Sequence, residues 1–481
     1  AAISRPIIRN DRLIWPRSTN ITSATRITTL YGYDHGGRLT GIDYPPGDIP
    51  DITFTHDQPM LGIPADSNRG HVARIDDGLI RLDFGHELLL TGPRVTVAGL
   101  YPQGRSYTVV EDRDFEGNTV RTAYPSGREV LVDHDSNNRP SRIRLVDGAT
   151  TTTLLDQITW APSGPMTSAL YGDGLGQSRS YDQSYRLTGL TDGNGTVQLR
   201  ALSYGYEARD NPTTITDALV PGNSESFGYT AREHLGTASG PYGDLEFSYD
   251  RVGNRTARVA DGQSDGYIYP LSSNRLQQIN LATGGSRGFT YDGAGNVIAD
   301  TRAGQTYGYT YNAAGRMSEF KINGALQASY TYDAMGRQAI RSLASGQAIH
   351  SVFDSMGRRI AEYSETSGAL LREYVWLGWE PVAVIESGVI HFVRTDHIGR
   401  PVLATDSTGT VVWTASYNPF GTVQASTGTP TAIRFPGQWF QAESGLHQNW
   451  MRDYDPTTGR YIQADPLRLL DGPSGYGYAN H

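Results

Sequence analysis

The chain has 481 residues, 41 Lys and Arg against 50 Asp and Glu, and a net charge of −9. No basic run is present, so the bulk surface is not expected to bind nucleic acid, and no apolar stretch approaches the ~18 residues of a membrane span. With no cysteine, disulfides and thiol catalysis are excluded. The 56 glycines and 25 prolines make 81 of 481 residues, near 17%. That is above the ~12% of average proteins and short of the ~25–30% that signals disorder, so the chain is expected to fold. No signal peptide opens it, and the first residue is Ala1, so a leader or larger N-terminal region is compatible with it.

In chain order, Tyr31-Gly32-Tyr33-Asp34 with Gly37-Arg38 is the first aromatic-acid turn signal. From 45 to 170 the period is hard to follow. Strand-like pieces such as Leu79 to Phe84 and Arg94 to Val97 alternate there with turns at Tyr124-Pro125-Ser126-Gly127 and Asn137-Asn138-Arg139-Pro140. Tyr181-Asp182 restores the pattern, and Tyr206, Tyr229, Tyr249 and Tyr269 carry it at intervals of 23, 20 and 20 residues. Asp192-Gly193-Asn194-Gly195 resembles half a calcium loop but lacks the later acidic ligands, and reads as a tight turn. Gly284-Gly285-Ser286-Arg287-Gly288 fits Gly-x-Ser-x-Gly, a pattern that needs a helix after the serine. Phe289-Thr290-Tyr291-Asp292 follows as a strand, so a hairpin linker is the better reading.

The clearest units follow. Tyr291-Asp292, Tyr311-Asn312, Tyr332-Asp333 and Phe353-Asp354 stand 20, 21 and 21 residues apart. Aromatics two apart, as at Tyr309 and Tyr311, leave one face of a strand. Asp or Asn then opens a turn by accepting backbone amides, and the glycine three residues on takes the positive φ that closes it. On this reading Tyr249, Asp250, Gly253, Tyr291, Asp292, Gly295, Tyr311, Asn312, Gly315, Tyr332, Asp333, Gly336, Phe353, Asp354 and Gly357 define the repeats. About 20 residues hold one antiparallel strand pair, which is marginal alone and must stack on its neighbours. The 29 tyrosines against 12 phenylalanines suit rings half buried in a sheet with hydroxyls reaching polar partners. The fold class is therefore all-β, a hairpin array.

The last ninety residues read His391 to Pro401 around Asp396-His397, then Tyr417-Asn418-Pro419-Phe420-Gly421, Arg434-Phe435-Pro436-Gly437-Gln438, Glu443-Ser444-Gly445-Leu446-His447, Arg452-Asp453-Tyr454-Asp455-Pro456, Gly459-Arg460-Tyr461 and Asp465-Pro466. As an ordered set this resembles the core end of Rhs/YD-repeat proteins, and the upstream tyrosine-aspartate repeats resemble the same family, over roughly residues 170 to 481. The resemblance implies a β-sheet spiralling into a hollow shell. Its parts would be divergent β-structure over 1–170 continuous with the shell, a repeat array over 171–390, and a core-associated segment over 391–481 that stops within its motif. It further implies a container for a C-terminal toxin polypeptide, as in type VI Rhs effectors and Tc toxin C components, made in the cytoplasm and secreted or delivered from a bacterial cell. Secretion-apparatus or chaperone proteins would be partners. The alternative is a surface adhesion or carbohydrate-binding protein of the kind teneurins and wall-associated proteins represent, to which Trp376, Trp379 and Trp439 would offer stacking surfaces.

Self-cleaving members use two aspartates, the first in an Asp-Pro that matches Asp465-Pro466; its partner and the scissile bond are expected beyond His481. Two carboxylates sharing a proton serve as base and acid, and one alone cannot. Leu467 to Tyr476 departs from the family's small-residue stretch, Asp471 is the only close substitute carboxylate, and an Asp-Pro step also simply opens a turn, as at Asp455-Pro456. The enzyme activity expected is at most a single-turnover self-cleavage in the longer protein. Asp396-His397 reads as a structural hydrogen-bonding pair. No histidine has metal-ligand spacing, and no cofactor is implied.

Overall fold

In the computed structural model residues 7–9, 12–22, 25–45, 50–60, 68–428, 431–466 and 474–478 are described, with side chains from residue 29 onward. Thirty-eight strands, from Ile7–Arg9 to Val423–Gly428, form one sheet in which each strand pairs antiparallel with the next in sequence. It runs past positions 170 and 390 without a break. A second, four-stranded sheet comprises Trp439–Gln441, Leu446–Asn449, Arg452–Asp455 and Arg460–Tyr461. Among the described residues there is no α-helix, and no helix is long and apolar enough to cross a membrane.

Where the period is hard to follow in sequence, the meander continues with the same turn chemistry. Asp114 and Asp135, 21 residues apart, each accept the amide four residues on, from Asn118 and Arg139, as the aspartates of the later repeats do. Arg113 and His134 hold the places where later repeats have an aromatic before the acid.

The sheet curls until distant strands meet. Tyr101 donates its hydroxyl to Ser351 O (2.8 Å) and Tyr124 to Tyr374 O (2.9 Å), each across 250 residues of sequence. Beside them Arg128 pairs with Glu373 at 2.8 Å, and Arg394 with Asp173 at 2.8 Å. The strands from Ala348–Phe353 to Val389–Thr395 are thereby covered on both faces. Val375, Ala383 and Phe392 pack into a core with Tyr107, Leu155 and Tyr171 of the early strands. Their neighbours Tyr374, Val384 and Val393 point the other way, against Ile433 and Trp439. A strand buried on both sides loses its alternation and reads as a continuous apolar run, as Pro381-Val382-Ala383-Val384-Ile385 does. Each such side chain contributes roughly 1.5–3 kcal/mol by leaving water, so the overlap is a major share of the core.

Candidate functional site at the repeat turns and the C-terminal segment

Each repeat turn is built by one side chain. Asp333 Oδ1 accepts the amides of Met335 and Arg337, both at 3.0 Å, and Oδ2 accepts Arg337 Nε at 2.7 Å. Asp250, Asp292, Asn312 and Asp354 likewise accept the amide four residues on. Gly253, Gly295, Gly315, Gly336 and Gly357 all sit at φ between 76° and 99°. The aromatic before the turn ties the unit to the previous one. Tyr249, Tyr291, Tyr311 and Tyr332 donate their hydroxyls to the carbonyls of Leu235, Leu276, Val297 and Met317, the residues that resume the chain after the preceding turn. Phe353 has no hydroxyl to give; the Arg337 guanidinium lies over its ring at 4.7 Å.

The C-terminal segment seats itself on these turns. Tyr476 donates to Gly295 O at 2.7 Å, and a Cβ on Gly295 would stand 3.0 Å from that hydroxyl. The Val297 amide donates to Ile462 O, and Arg460 reaches Tyr269 Oη and Asn274 O. Underneath, Asp455 and Asp300 both hold Arg287 Nη2 at 2.7 Å, all three nearly without solvent. Burial is the largest single influence and opposes the charge on both Arg287 and Asp455, but their mutual attraction together with Asp300 on the guanidinium and Thr457 and Arg302 on the carboxylate outweighs it, lowering the carboxyl and raising the guanidinium.

Asp465 lies where segment and turns meet. Its carboxylate pairs with Arg452 Nη1 at 2.9 Å, its amide donates to Gly475 O, and Arg452 stacks on the Tyr461 ring at 3.8 Å. It lines a cleft of about 490 Å³ whose opposite wall is formed by the turns at Gly295 and Gly315. Asp471 and His481 lie outside the described residues. Asp453, which no sequence signal singled out, stands close by. Gln463, two residues before Asp465, donates to Asp453 Oδ2 at 2.6 Å, while Oδ1 has no hydrogen-bond partner among the described residues. Burial lifts this carboxyl to about 7, against the opposing bond from Gln463.

Residues 219–471, just over half of the chain, match the Teneurin YD-shell family. The chain belongs to that family. Over 97 residues this YD shell is 40% identical to the double-stranded DNA deaminase toxin A of Burkholderia cenocepacia (strain H111), covering 19% of the chain and 7% of the relative. It is 42% identical over 92 residues to the toxin protein Tse5 of Pseudomonas aeruginosa, again 19% and 7%. A third relative is the probable deoxyribonuclease RhsA of Dickeya dadantii (strain 3937), at 33% over 118 residues, 23% and 8%. Among solved structures the YD shell superposes on TcdB2-TccC3-Cdc42 with a TM-score of 0.79 at 16% identity, over 97% of this chain and 27% of that one. A Tc holotoxin pore of Photorhabdus luminescens gives 0.78 at 17%, over 97% and 26%. The chain thus spans about a quarter of those solved chains, and the matched segments are a small fraction of the curated relatives.

The remaining sequence candidates take structural places in the YD shell. Ser286 opens the strand Ser286–Tyr291 and pairs across to Asn280, with no helix behind it. Asp192 accepts Arg200 and Gln177 and lies 3.5 Å from Arg394, and no metal-holding group of side chains occurs among the described residues. Asp396 holds a repeat-type turn through Ile398, Arg400 and the Arg400 guanidinium, and His397 packs on Tyr204. Asp455 accepts Thr457 and closes the turn after it.

Proposed function

We propose that this YD shell is the container, or a portion of one, for a toxin polypeptide that follows the core in a longer form of the protein, and that it delivers this cargo between cells. The observation that carries the reading is the lap of the sheet over itself with the C-terminal segment seated on its turns. That geometry holds the chain's last described residues against the sheet, where a continuing polypeptide would enter the enclosure. The toxins among the relatives support the cargo. Delivery through a type VI apparatus, with chaperone or secretion partners, belongs to the same proposal.

Release would be autoproteolytic. Asp465, positioned by Arg452 beside the cleft, is one half of a carboxylate pair whose other half lies further along the chain. Of such a pair, the ionised member takes a proton from water as its oxygen attacks the scissile carbonyl. The protonated member gives its proton to the leaving nitrogen as the C–N bond breaks. The test is intact-mass analysis of the protein carrying its natural continuation, with and without Asp465→Asn. The expected result is a cut downstream of the core in the parent and an uncut chain in the variant, with the released piece co-purifying. An uncut parent removes self-cleavage, and a released piece that separates freely removes encapsulation.

A further inference from the structure

Asp453 and Gln463 form a closed pair to which encapsulation assigns no task. The Asp453 amide donates to Gln463 Oε1 at 2.7 Å, and Gln463 Nε2 donates to Asp453 Oδ2 at 2.6 Å. One residue thus takes both ends of a side-chain amide, and the two are only 2% and 1% exposed. Asp453 also accepts the Ile462 amide through its carbonyl at 2.9 Å. Its neighbour Arg452 takes the Asp465 carboxylate. Two consecutive residues of the strand Arg452–Asp455 therefore hold residues 462, 463 and 465. Ala464, between them, lies against the turn at Gly295, where an added Cβ would stand 3.1 Å from its own. Gln463 lines the same cleft as Asp465, two residues along, so displacing Gln463 moves Asp465.

The clamp is built around an acid that no cation balances. Asp453 Oδ1 has no hydrogen-bond partner among the described residues. Glu443, the acid beside it, is held by Tyr330 and Arg341 and adds its own repulsion. Tyr311 and Tyr332 of the repeat sheet and Tyr461 of the C-terminal segment face Asp453. The first two give their hydroxyls to Val297 O and Met317 O, and Tyr461 accepts from Asn449. Of the guanidiniums on the neighbouring elements, Arg341 serves Glu443, Arg452 serves Asp465 and Arg316 donates to Met451 Sδ. A carboxylate kept buried with a single side-chain donor and no cation is destabilised, and the neutral acid is the form that fits. Ionisation, with burial placing it at about 7, draws water toward Oδ1 and loosens the packing around the pair.

We propose that Asp453, acting through Gln463, is a positioning residue for the self-cleavage proposed above, the reading on which this inference rests. It touches no reacting atom. While neutral it keeps residues 462–465 against the cleft, and once charged it lets that stretch move. Two measurements separate the clamp from the reaction. In the 481-residue chain, hydrogen exchange at 462–465 is expected to rise about tenfold more than the intrinsic rate between pH 6 and pH 8. Asp453→Asn keeps an oxygen for Gln463 and never ionises, so its exchange follows the intrinsic rate alone. The second measurement uses the protein carrying its natural continuation, made in a short cell-free pulse, shifted in pH and followed by intact mass. The ratio of cutting rates, Asp453→Asn over parent, is expected to be near one at pH 5.5 and about tenfold at pH 8, one unit above the titration. Exchange that follows the intrinsic rate in both chains overturns the clamp. A cutting ratio that does not change with pH overturns the positioning role and leaves a structural pair. An uncut parent whose exchange still responds to pH removes the reaction, and with it the role of Asp453, while the clamp stands.

Discussion

Asp453 shows what one buried atom does to the whole fold. Its carboxyl titrates near 7 in the shell against about 3.8 when exposed, because burial favours the neutral form. The stabilisation is full below the unfolded value and is lost as pH rises through about 7, up to roughly 4 kcal/mol. Asp453→Asn keeps the neutral form at all pH values. Its thermal midpoint is expected to equal the parent's near pH 4 and to exceed it at pH 8; equal midpoints at both would refute the assignment. Nothing around Asp453 in the sequence foretells this. Burial does most of it and the Glu443 charge adds to it, while Tyr311 and Tyr332, whose phenols the Asp453 charge would hold protonated, arrive from more than a hundred residues away. Asp465 is the opposite case: its Asp-Pro motif marks it in the sequence, while its partner Arg452 and the facing turns emerge only on folding.

At the scale of the element, the repeat is a turn held by an acid and a strand end held by a phenol. Gly295 and Gly315 occupy equivalent turns, and Ala at either meets the same left-handed cost, about 1–2 kcal/mol. At Gly315 nothing lies within 4 Å of the new methyl, whereas at Gly295 it stands 3.0 Å from Tyr476 Oη and 3.1 Å from Ala464. Gly315→Ala is therefore expected to lower the midpoint only, and Gly295→Ala also to speed hydrogen exchange at 474–478. Equal exchange in the two variants would show that the segment is not seated there. The turns after residue 170 were readable because aromatic, acid and glycine coincide at a fixed spacing. Between 45 and 170 the acid persists at Asp114 and Asp135 while Arg113 and His134 replace the aromatic, and Asn138 takes the positive φ that glycine holds elsewhere. The hydrogen bonds survived there and the signature did not.

For the whole molecule the decisive feature is the lap of early strands over late ones, which sequence alone does not disclose, because curvature accumulates from small twists between neighbouring strands. At its centre Arg394, fully buried, joins Asp173 and Thr405, stacks on Tyr171 at 4.2 Å and lies 3.5 Å from Asp192. Arg394→Met strands the buried Asp173 carboxylate, while Asp192 keeps Arg200, a loss of about 3–5 kcal/mol. It is expected to raise hydrogen exchange together in Met166–Tyr171 and Val389–Thr395 but not in Gly243–Tyr249, and exchange confined to one of the first two would argue against a coupled seam. The strictly sequential pairing also sets a timetable. Each hairpin needs only the residues just synthesised, so the sheet can grow strand by strand as the chain leaves the ribosome, whereas the seam joins residues 201 to 262 apart and must wait for the later strands. The nascent protein therefore passes through a stage as an open ribbon, with the faces of its early strands uncovered, before it closes.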